Sequence, residues 1–225
     1  SLEGNAYILS TVEAGGVGKG GNIDINANLL SLTDGAQLAT ITRSASKVQP
    51  AGQGNAGGVN INITGEVNIV GQKNGFSSGI RSLVDTGTVG NGGSITINSG
   101  SFSLSSGAEL TTSTYGKGNA GNVILGVKDA VQVAGNTYIL STVEAGGIGK
   151  GGNIDIITNS LSLTDGAQLL AATREASNGQ PAGQGDAGNV NINVTGVANI
   201  AGQKNGLPSA IFSRVSTGTI GNGGN

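Results

Sequence analysis

The chain has 225 residues, a formal net charge of −2, 43 glycines, 36% hydrophobic residues, and neither cysteine nor histidine. The missing cysteine excludes a disulfide framework, a zinc–thiolate site and a cysteine nucleophile, and the missing histidine removes the commonest general base and metal ligand. The near-neutral balance lacks the Lys and Arg excess that neutralises phosphates, so nucleic acid is not an expected partner, and no apolar run approaches the roughly 20 residues of a membrane span, so no membrane insertion is expected.

In chain order, Ser1 opens no signal peptide, which places any export signal outside this segment or among residues already removed. The phrase AGGVGKGGNIDI at 14–25 then leads through a glycine-rich turn into alternating Val, Ile and Leu, the period-two pattern of a strand with one buried face. TDGAQL at 33–38 carries the turn pair Asp34-Gly35, where glycine accepts positive φ and the carboxylate can cap nearby N–H groups. RSASKVQPAG at 43–52 lengthens the chain after the third strand of this unit. GVNINI at 58 starts the next unit, and GQKNG at 71–75 lengthens its link between second and third strands. SITI at 94 and NVIL at 122 open two shorter units. At 145–156 the opening words return as AGGIGKGGNIDI, followed by REASNGQPAG at 174–183, NVNINV at 189 and GQKNG at 202–206.

The recurrence is gapless. Tyr138 follows Tyr7 by 131 residues, as Pro181 follows Pro50, and about 66 of the 94 overlapping positions are identical. Unit starts at 22, 58, 94, 122, 153 and 189 differ by 36, 36, 28, 31 and 36 residues, so one long repeat holds four short units. Aligning the units stacks like on like in six inward columns. The first runs Ile23, Val59, Ile95, Val123, Ile154, Val190; the last is small, with Thr40, Ser82, Thr112, Ser141, Ala171 and Ser213. This predicts an all-β parallel β-helix, a single β-solenoid segment over 1–225, with three strands per coil and about six coils. At about 4.8 Å per coil the segment measures about 29 Å, and each long repeat about 19 Å.

Chemistry-bearing candidates are sparse. Asp24 and Asp155 sit in GGNID phrases that resemble fragments of a calcium nonapeptide, but one carboxylate per phrase, four coils apart, does not build a calcium site. The glycine string lacks the Lys-Ser/Thr ending of a phosphate loop. Catalysis on a β-helix would need carboxylates clustered on one outer face, and no pair of the thirteen acidic residues recurs across adjacent coils with an accompanying basic residue, so no enzyme, cofactor or metal is expected. Thr40 and Thr112 fall in the inward column and form an inner hydroxyl ladder, not an ice-binding face. Asn62 and Asn193 match the glycosylation sequon. Outward positions of the third strands include Leu9, Ala39, Ile41, Leu83, Leu140, Leu170 and Phe212, a candidate lateral-contact stripe. Arg43, Lys47, Lys73, Arg174 and Lys204 on the lengthened links are the candidate recognition residues.

The phrases LSLTDGAQL, FSLSSGAELTTSTYGKGNAGNV and AGQGDAGNVNINV resemble the filamentous haemagglutinin-like exoproteins of two-partner secretion systems, in particular the long repetitive cyanobacterial ones. The resemblance implies a right-handed β-helix, export through an outer-membrane secretion partner, and a surface-bound or released fibre used in adhesion or aggregation. The Asn-Pro-Asn motifs of that family's secretion domain are absent from this segment. Both ends fall partway through a coil, as in a slice of a longer repetitive chain, and open β edges favour further stacking. The expected function is a non-enzymatic extracellular fibre or adhesin shaft at a bacterial surface, self-associating end to end or laterally and contacting cell-surface glycans. The alternatives are a carbohydrate-binding module, whose glycan binding would depend on the 43–52 loop, and a carbohydrate-active β-helix enzyme, which would need clustered outer carboxylates.

Overall fold

The computed structural model describes residues 1–225. Alternating Val, Ile and Leu cannot bury one face of a lone strand, so the strands bury it against one another around a common axis. Each coil carries three main strands, in the first coil Ile23–Ala27, Leu30–Thr33 and Gln37–Thr42. The first strands form a six-stranded parallel sheet, the second strands another, and the third strands a seven-stranded one that also takes in Tyr7–Val12. The arrangement is that of a parallel β-helix, and its coils are in register as the sequence columns require. Ile23 pairs with Val59, Val59 with Ile95, Ile95 with Val123, Val123 with Ile154, and Ile154 with Val190. One cluster of 30 buried residues fills the bore, with Phe102 and Ile61 among its largest fully buried side chains.

Glycine builds the corner between third and first strands. There the chain of each coil runs directly over that of the coil before it, and a Cβ at Gly54 would lie 1.5 Å from the Gly18 carbonyl oxygen. The bare backbone leaves inward carbonyls, and the small column of the third sheet supplies their donors. Thr40 Oγ1 donates to Gly57 O at 2.5 Å, Thr112 Oγ1 to Gly121 O at 2.6 Å and Ser213 Oγ to Gly188 O at 2.8 Å. A buried carbonyl left unpaired costs about 1–3 kcal/mol, so the hydroxyl column and the glycine corner depend on each other.

The lengthened links have structure of their own. GQKNG forms a two-residue antiparallel ladder, Gln72 opposite Ser77 and Lys73 opposite Phe76, recurring as Gln203 opposite Pro208. Asn74 and Gly75, at φ 53° and 79°, make the tight turn that suits a short hairpin. At Asp34-Gly35 both residues have positive φ, as the turn reading requires. The cap comes from elsewhere: Gly35 N donates to Ser78 Oγ at 2.9 Å, while the Asp34 carboxylate lies 3.9 Å from Lys73 Nζ.

Candidate functional site

The outer face of the third sheet gathers most of the side chains with functional potential. Its register puts the expected apolar stripe into two files. One runs Leu9, Ala39, Arg81, Thr111, Leu140, Leu170, Phe212, and the next Thr11, Ile41, Leu83, Ser113, Thr142, Ala172, Arg214. The stripe is therefore not continuous, because Arg81 and Thr111 interrupt one file and Ser113 and Thr142 the other. Nor is it uniformly exposed. Leu9 is 40% exposed, Ile41, Leu83, Leu140 and Phe212 are half-buried, and Leu170 is buried at 3%, flanked by Leu140 and Phe212 on the neighbouring strands. Between the apolar ends lies a hydroxyl chain: Thr111 to Ser113 at 3.0 Å, Ser113 to Thr142 at 2.7 Å, and Thr142 Oγ1 donating to Glu144 Oε1 at 2.6 Å.

Single carboxylates pair with bases across adjacent coils. Arg81 Nη2 lies 3.0 Å from Glu109 Oε2, Arg43 Nε 3.6 Å from Glu13, and Arg174 Nε 3.7 Å from Glu144. These pairs lie on consecutive coils, so aligning the outward columns by coil is the signal that finds them. Arg43 and Arg174, expected as recognition residues, are half-buried and hold their loops to the preceding coil. Lys47, Lys73 and Lys204 are exposed, Lys47 in the first loop and the other two on the hairpins.

The loops close on themselves, Gly52 N donating to Arg43 O and Gly183 N to Arg174 O, both at 2.9 Å. Each folds back over the exit of the coil before it: Gly15 N donates to Pro50 O at 2.7 Å and Gly146 N to Pro181 O at 2.8 Å. Between the two loops the exits are short, and a cleft of about 320 Å³ opens. Thr86 and Val89 form one wall, Gln180 and Ile148 another, and Tyr115 and Lys117 line it between them. Tyr115 is 37% exposed. Burial, joined by the charges of Glu144, Asp85 and Glu109 and opposed by Arg81, pushes its pKa up to about 12. Asp85 is also raised, mainly by burial, against the pull of the Ser44 N–H and Arg43. Sequence reasoning missed this group.

The outer face of the first sheet is a plain polar ladder. Asn60 Nδ2 donates to Asp24 Oδ1 at 2.7 Å, Asn62 to Asn26 at 3.1 Å, Asn98 to Asn62 at 3.0 Å and Asn191 to Asp155 at 2.7 Å. Asp24 and Asp155 thus act as acceptors for the next coil, and Asn62, the first sequon asparagine, is a rung of the ladder. No family model, curated protein or solved structure matches the chain.

Proposed function

We propose that the chain is a segment of a right-handed β-solenoid shaft, a non-enzymatic extracellular fibre or adhesin that attaches, aggregates or forms filaments at a bacterial surface. Right-handed coiling follows the general preference of parallel strand crossovers. One observation carries the reading: the 131-residue sequence repeat coincides with four in-register coils, so loops, hairpins and ion pairs return on the same side about every 19 Å. A periodic surface on a stiff core suits repeated weak contacts, whose avidity exceeds any single one.

The resemblance to filamentous haemagglutinin-like exoproteins supports export through an outer-membrane partner. A carbohydrate-binding module is the second reading, favoured by the cleft beside Tyr115. Electron cryomicroscopy of the native material tests the shaft. It should show a layer line near about 4.8 Å with a longer axial period near about 19 Å. Isolated compact particles without axial order would overturn the reading.

A further inference from the structure

The cleft beside Tyr115 has a chemistry of its own. Lys117 is the one charged residue lining it, and no carboxylate does, which disfavours a metal ion or a basic peptide as its occupant. The rest of the lining is one aromatic ring, the Thr86 hydroxyl, the Gln180 amide, and the apolar edges of Val89 and Ile148, while the buried Thr88 hydroxyl is taken up by the Asp85 carbonyl. A pyranose ring presents the complementary set: an apolar face of C–H bonds that stacks on an aromatic ring, and a rim of hydroxyls that exchanges hydrogen bonds with amides and hydroxyls.

The lining is held in place. Val89, Lys117 and Ile148 are consecutive rungs of a bridge ladder running along the corner of the solenoid. Gln180 is laid over the bare backbone of Gly146, where a Cβ would come within 3.0 Å of its Oε1. The Tyr115 phenol, its pKa raised first by burial and then by the charges of Glu144, Asp85 and Glu109, is uncharged and adds no negative charge to the cleft. One wall also recurs. Thr217–Ile220 repeats Thr86–Val89, and Gly218 packs by Ala182 as Gly87 does by Ala51.

We propose that this cleft binds one unit of an acidic polysaccharide, the pyranose C–H face on Tyr115, ring hydroxyls on Gln180 and Thr86, and a uronic-acid carboxylate on Lys117. The volume, near the lower bound of ligand pockets at roughly 300 Å³, fits a single sugar better than an extended chain. Binding at one cleft is accordingly weak. This inference deepens the shaft reading by naming what the shaft touches.

Saturation-transfer NMR and calorimetry on the soluble chain test it, using hexamers of galacturonic acid and of glucose as probes. The uronate hexamer should bind. Tyr115→Ala and Gln180→Ala should each weaken it at least tenfold, Tyr115→Phe should keep most of the affinity, and Lys117→Gln should erase the preference over the glucose hexamer. Circular dichroism melts of each variant separate lost binding from lost folding, and Gln180→Ala, on an exposed loop, reports even if Tyr115→Ala misfolds. No binding of either hexamer, binding of glucose alone, or full affinity in both alanine variants would overturn the proposal. Imaging of the fibre is independent of these outcomes, so the cleft and the shaft fail separately.

Discussion

The two copies of the long repeat differ most where they face outward on the third sheet. Strands Gln37–Thr42 and Gln168–Thr173 read QLATIT and QLLAAT, and Gly79–Val84 and Ala210–Val215 read GIRSLV and AIFSRV. In the register, the first copy sets Ala39 beside Arg81 in one file and Ile41 beside Leu83 in the next. The second copy sets Leu170 beside Phe212 and Ala172 beside Arg214. The apolar pair and the arginine have traded files. In the first copy Arg81 reaches Glu109 on the next coil, while in the second Arg214 lies over the Phe212 ring at 5.0 Å from its centroid. The bore keeps the same residue at nearly every inward position, with Thr40 against Ala171 and Val67 against Ala198 among the exceptions. The outer face conserves a balance, one apolar cross-strand pair and one cation per pair of strands, and leaves their positions free.

The largest expected effect tests the bore. Ile61 is fully buried between Ile25 and Ile97 of the neighbouring coils, and Ile61→Asp puts a carboxylate where nothing can pair with it, at a cost of several kcal/mol. The variant should be unfolded by circular dichroism, whereas Asn62→Asp, one residue along and facing out, should keep the native spectrum. An unchanged β spectrum for Ile61→Asp would refute the inward columns.

The exchange of files is tested next. Leu170→Ala empties a buried site and should cost about 2–4 kcal/mol in urea unfolding. Adding Ala172→Ile alone should recover little, since the new side chain faces Arg214. Adding Phe212→Arg and Arg214→Leu as well rebuilds the pairing of the first copy and should restore much of the loss. Full recovery in the double variant would mean the files are not coupled across strands.

A smaller effect separates ion pairs by burial. Arg81 and Glu109 retain 23% and 27% side-chain exposure, so Arg81→Met should cost about 1–2 kcal/mol, below the 3–5 kcal/mol typical of breaking a fully buried pair. Lys150 and Asp186, 3.4 Å apart in the open, should tolerate Lys150→Met without measurable change in melting temperature. Equal losses would show that exposure does not govern these pairs.

What was legible in the sequence follows the same division. The inward columns stand out because period-two alternation and one-on-one stacking leave a single residue class at each position, as with Ile61 between Ile25 and Ile97. The hairpins at 72–77 and 203–208 read only as lengthened links, since two residues on either side of Asn-Gly are too few to show alternation. Because coils differ in length, the Arg81–Glu109 pair has no constant separation to mark it and emerges only when the outward columns, like the inward ones, are aligned coil by coil. Tyr115 had no counterpart to flag it: positions 131 residues away in either direction lie outside the chain.

Tyr115 also gives the last prediction, set by pH. Its pKa in the folded chain is raised from 10.0 to about 12, so the folded state holds the phenolic proton more tightly than the unfolded one. The stability tied to that proton is fully present below about pH 10 and is lost as the pH climbs through about 12. Tyr115→Phe has no such proton. Every other group is common to both proteins, so the informative quantity is the difference between their urea midpoints from pH 9 to pH 11.5. The wild type should lose stability faster than the variant above pH 10. Parallel curves would mean that the phenol is neither buried nor held beside Glu144, Asp85 and Glu109, and that Tyr115 stands free of the surface it is placed in.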